Sequence, residues 1–100
     1  MKLVYTPSAD RLKTGIIKKY PGLDKYFSLL EGKIRRAPQE AFVEKIVTEE
    51  QTVTVYKRNV KTGLFSGNIS ISYLYLSLFY IIDPVKKRIV VMGAYIKHFT

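Results

Sequence analysis

The sole histidine of the chain, His98, stands near its C-terminus, in the run Tyr95-Ile96-Lys97-His98-Phe99. A second concentration of cations, Lys57, Arg58 and Lys61, follows Tyr56. Together these residue types suit one reaction, the cleavage of RNA. That reaction needs a proton taken from a 2′-hydroxyl, a proton given to the leaving oxygen, and charge stabilised on the phosphorane. Histidine titrates nearest neutrality, arginine holds phosphate oxygens, and a tyrosine with a shifted pKa exchanges a proton. His98, Arg58 and Tyr95 are therefore the candidate catalytic residues. Lys57, Lys61, Tyr73, Tyr75 and Lys97 are candidate RNA-binding residues, because rings stack on bases and ammonium groups meet phosphates. The alternative for the aromatic row is a half-buried face covered by a partner protein or a second copy.

Other chemistries lack their residues. There is no cysteine, so disulfides and thiolate metal sites are excluded, and a reducing compartment fits. One histidine and eight scattered carboxylates offer no metal-ligand spacing. Gly63-Leu64-Phe65-Ser66-Gly67 lacks the lysine of a phosphate-binding loop, and no serine-nucleophile motif is present. No metal and no cofactor are expected. The start, MKLVYTPSADR, turns polar too early for a signal peptide. The apolar stretch from Ile69 to Ile82 is shorter than the ~20 residues of a membrane helix. A cytoplasmic protein without a membrane partner is expected.

The charge is uneven. Ten Lys/Arg against seven Asp/Glu give +3 over residues 1–50, whereas seven against Asp83 alone give +6 over residues 51–100. A carboxylate-poor half attracts polyanions, nucleic acid first.

The elements that must position these residues are legible from periodicity. A short strand spans Lys2 to Tyr5. Thr6-Pro7 opens a helix whose apolar stripe is Ala9, Leu12, Ile16 and Tyr20, with Lys13, Lys18 and Lys19 off that stripe. Pro21-Gly22 ends it. A second helix covers roughly Leu23 to Ala37, and the short turn between the two predicts a helical hairpin. Strands follow over Phe42–Thr48, Thr52–Val60, Ile69–Ile82 and Arg88–Phe99. Turns are expected at Lys61-Thr62-Gly63, Ser66-Gly67-Asn68 and Asp83-Pro84-Val85-Lys86-Lys87. Helices ahead of a run of strands indicate one α+β domain over residues 1–100. Alternation places Leu74, Leu76, Leu78 and Tyr80 in a row that beds the helices, and Tyr73, Tyr75, Ser77 and Phe79 in the opposite row.

Three stretches, KLVYTPSADRLKTGI, YLSLFYIID and RIVVMGAYIKHF, resemble the RelE/ParE toxin superfamily of bacterial and archaeal toxin–antitoxin systems. The resemblance implies an N-terminal strand and helical hairpin packed on an antiparallel sheet of four or five strands. It implies a toxin that cuts mRNA on the ribosome without a metal, with His98 and Phe99 at the family's C-terminal His-aromatic pair. Leu76 stands where an often catalytic arginine is found. The family also holds inhibitors of DNA gyrase, and a non-catalytic nucleic-acid-binding protein of the same fold is the third reading. The implied partners are a cognate antitoxin and the ribosome or gyrase. The exposed row and the sheet edges also invite a homodimer.

Overall fold

A computed structural model describes the backbone of residues 1–66 and 71–99 and the side chains of residues 1–63 and 74–97. The chain order is β1 (Lys2–Tyr5), α1 (Pro7–Lys19), a 3-10 turn (Pro21–Leu23), α2 (Asp24–Arg36), β2 (Phe42–Val47), β3 (Thr52–Ser66), β4 (Ile71–Asp83) and β5 (Arg88–Phe99). The strands form one sheet in the order β1-β5-β4-β3-β2. All neighbours are antiparallel except β1, which runs parallel to β5. The α+β architecture expected from the sequence is thus present.

Each helix has its boundaries written locally. The Thr6 hydroxyl caps α1 by accepting from the Ala9 N–H at 3.1 Å, with Pro7 in the first turn. Asp10 at one end and Lys18 and Lys19 at the other complement the helix dipole. In α2, Asp24 opens the first turn and Lys33, Arg35 and Arg36 fill the last. Both helices cover one face of the sheet. Phe27, Leu30 and Ile34 are fully buried there in one cluster with Leu76, Leu78, Tyr80, Ile89 and Val91. Each such side chain removed from water contributes about 1.5–3 kcal/mol. Tyr80 keeps its polar tip satisfied by donating to the Pro38 carbonyl at 2.6 Å. Among the described residues no helix is long and apolar enough to cross a membrane.

The structure departs from the sequence reading in two elements. Lys13 lies on the inner side of α1, not off the stripe, while Leu12 is 48% exposed. The reason is Glu31: its carboxylate accepts from Lys13 Nζ at 2.9 Å and from the Tyr5 hydroxyl. The ammonium also sits 4.8 Å from the Tyr5 ring centroid and 5.5 Å from that of Phe27. This group ties α1, α2 and β1 together. The turn expected at Lys61-Thr62-Gly63 is instead a register shift inside β3. There Thr62 is buried and donates to the Leu74 carbonyl at 3.0 Å, and the Gly63 N–H donates to Tyr26 at 2.7 Å. A Cβ on residue 63 would come within 2.9 Å of that Tyr26 oxygen, which explains the glycine. The expected turn at Gly67-Asn68 lies outside the described residues. The hairpin from Asp83 forms as expected: its carboxylate accepts from the Val85 and Lys86 N–H groups at 3.1 and 3.2 Å, and Lys87 takes φ 51°.

Candidate nucleic-acid interface

Register decides which residues meet. Directly opposed residues in a sheet share a face. Lys57 pairs with Phe42 and Phe79, Asn59 with Ser77, Ser77 with Tyr95, and Lys61 and Lys97 both with Tyr75. These residues form three successive rows across β2, β3, β4 and β5 on the face opposite the helices. The row predicted to lie opposite the helix bed does so at Tyr75, Ser77 and Phe79.

Lys57, Asn59, Tyr75, Ser77, Tyr95 and Lys97 line one groove on this face. None of these six carries a negative charge. The Lys57 ammonium lies 5.6 Å from the Tyr95 ring centroid and 5.8 Å from that of Phe79. The two rings stack at 5.4 Å with 24° between planes. Gly93 lies opposite Phe79, where a Cβ would rest in ordinary contact with the ring at 3.7 Å. Ser77 is 2% exposed and lies directly across from Tyr95.

The electrostatic consequence falls on Tyr95. A hydrogen bond from the Lys57 ammonium holds its phenol below the ordinary tyrosine pKa. Partial burial opposes this, and a hydrogen bond with Ser77 and the charges of Lys57 and Lys97 reinforce it. A phenol that ionises more readily, beside two ammonium groups, is equipped to take up and return a proton next to a bound anion.

The other predicted site residues lie elsewhere. Arg58 pairs with Leu78 on the helix-facing row, not with the groove at Tyr95. Its Nη1 donates to the Lys33 and Ala37 carbonyls, both at 3.1 Å, where α2 ends. Each carbonyl also accepts a backbone N–H, from Ala37 and from Glu40, so Arg58 adds a second, charged donor at the negative end of the helix. His98 pairs with Leu74, again in the helix-facing row, and its side chain lies outside the described residues. Tyr73 pairs with Phe99 and Leu64, and its side chain is likewise outside them. Leu76 is fully buried in the core.

Two groove residues, Asn59 and Ser77, and the neighbouring Phe79 escaped the sequence reading as site members. The available signal was the period of two from Lys57 to Asn59 and from Tyr75 through Ser77 to Phe79. What was missing was the register that sets the two rows side by side. Among the described residues no three His, Cys, Asp or Glu side chains gather as a metal site requires. Comparison with protein-family models, with curated proteins and with solved structures finds no match for this chain.

Proposed function

We propose that this protein is a RelE-like toxin that cuts mRNA without a metal, using the groove around Tyr95. The observation that carries the proposal is the joining of Tyr95, Lys57, Ser77 and Lys97 in one open, carboxylate-free groove. The element order, a strand and two helices followed by strands, agrees with the RelE/ParE resemblance.

In this reading the RNA backbone crosses the open face with a phosphate on Lys57. The Tyr95 phenolate accepts the proton of the neighbouring 2′-hydroxyl. That oxygen attacks phosphorus and the bond to the 5′-oxygen breaks. The ammonium of Lys57 or Lys97 gives the leaving oxygen its proton. The products are a 2′,3′-cyclic phosphate and a 5′-hydroxyl end. Lys57 and Lys97 also neutralise the phosphorane, and Ser77 holds the phenol in place. Tyr75 and Lys61 extend the binding face along β3 and β4. Arg58 has no step in this scheme; its task is to close α2. A cognate antitoxin would silence the protein by covering this face.

A ParE-like inhibitor of DNA gyrase is the second reading. It is favoured by the lack of a guanidinium among the residues that line the groove around Tyr95. Expression in a bacterial host separates the two. The nuclease reading expects growth arrest with mRNA cleavage, relieved in Tyr95→Phe and Lys57→Ala. Growth arrest with DNA-damage signalling and intact mRNA would replace it with the gyrase reading. Full toxicity of both folded variants would remove the groove from either.

A further inference from the structure

A second groove adjoins the first across Lys57 and Asn59, which line both. Its remaining walls are Phe42, Val43, Glu44 and Phe79. Phe42 lies on the edge strand β2, is 70% exposed, and stands directly opposite Lys57. Phe79 stacks on Tyr95 of the first groove and also lines the second. An aromatic side chain so exposed on a sheet edge carries an aggregation hazard, and its packing within the chain does not explain it.

The charge pattern indicates which part of a polynucleotide would enter. Lys57 sits at the border between the grooves and attracts a phosphate. Glu44 faces the second groove from β2, in the same strand face as Phe42, and has no ion-pair partner among the described residues. A carboxylate there repels the phosphodiester backbone but tolerates an uncharged ring, and it accepts hydrogen bonds from base N–H groups. Two benzyl rings supply the stacking surface that every nucleobase can use.

We infer that the Phe42–Phe79 groove is a nucleobase-stacking subsite, taking a base next to the phosphate held on Lys57. The inference rests on reading the Tyr95 groove as an RNA site. It adds that affinity comes from a base as well as from the backbone charge. Phe42 is the informative residue, because its exposed edge position separates it from the core and from Tyr95.

The test compares two fluorescein-labelled probes of equal length and charge. One is an oligoadenylate with 2′-O-methyl groups that block cleavage; the other is its base-free analogue with the same sugar–phosphate chain. Fluorescence anisotropy with the full chain should give the base-bearing probe an affinity higher on the order of tenfold. Phe42→Ala should erase most of that gap and leave affinity for the base-free probe unchanged. Lys57→Ala should weaken both probes. Circular dichroism confirms that each variant is folded, and Phe42→Tyr, which keeps the ring, should retain the gap.

Equal affinity of the wild type for the two probes would overturn the subsite. So would a gap that survives in Phe42→Ala, since another ring would then be the platform. Either result leaves the RNA reading standing if Lys57→Ala still weakens binding. Absence of binding to both probes would remove the RNA reading and the subsite together.

Discussion

Replacing Arg58 by methionine should destabilise the fold and spare the open face. The arginine closes α2 through two hydrogen bonds of 3.1 Å to the Lys33 and Ala37 carbonyls, and its side chain is 20% exposed. A hydrogen bond to a charged group contributes about 1.5–3 kcal/mol. A cation at a helix C-terminus adds roughly 0.3–1 kcal/mol. One nitrogen serves both carbonyls, and water reaches part of the site after substitution, so the two bonds do not add in full. The expected loss is about 2–4 kcal/mol. For a domain of this size each kcal/mol moves the melting temperature by ~4–8 °C, so a fall of roughly 10–30 °C is expected. Arg58→Lys, which keeps the charge and reaches fewer acceptors, should lose about half as much. Thermal unfolding followed by circular dichroism gives the shift. RNA affinity measured well below the new midpoint gives the second readout and should match the wild type. An unchanged melting temperature combined with lost RNA binding would refute the reasoning and return Arg58 to the binding site.

Four other outcomes follow from the same structure. In a spectrophotometric titration, Tyr95 should ionise below the ordinary tyrosine value, because the Lys57 hydrogen bond favours the phenolate, and that step should vanish in Tyr95→Phe. At the other end, burial holds Tyr80 up at about 12, and burial together with the Glu31 hydrogen bond pushes Tyr5 higher still. Their neutral forms support the fold fully below the unfolded value near 10, so stability should fall as pH rises from 10 toward 12 in denaturant melts. Glu31→Ala, which strands Lys13 and the Tyr5 hydroxyl, should cost roughly 2–3 kcal/mol, less than a fully buried pair because water reaches Lys13. Lys87→Gly should raise stability by up to about 1 kcal/mol, since φ 51° is a left-handed conformation that glycine adopts without strain.

Much of this fold was legible because local signals agree. Thr6-Pro7 and Pro21 bracket α1, and the Leu74-to-Tyr80 alternation marks the strand that receives the helices. Lys13 and Arg58 were misplaced for a common reason. Both are cations whose partners, Glu31 and the end of α2, lie far away in sequence, and spacing along one element carries no information about them. The site was half legible. Tyr95, Lys97, Lys57 and Tyr75 belong to one groove, but Arg58 differs from Lys57 by one residue and therefore by one face. His98 stands one residue from Lys97 and falls in the opposite row. A period of two makes that single step decisive, and it is fixed only when the strands pair. Ser77 is informative only once Tyr95 is known to lie across from it.

The central claim is that the Tyr95 groove cuts RNA. Its most direct test is to map mRNA 5′ ends after brief induction, and again in a purified translation system with and without ribosomes. New ends should bear 5′-hydroxyl groups, require ribosomes, and disappear in Tyr95→Phe while that variant remains folded. Growth arrest without new mRNA ends, or the same ends in Tyr95→Phe, would contradict the account.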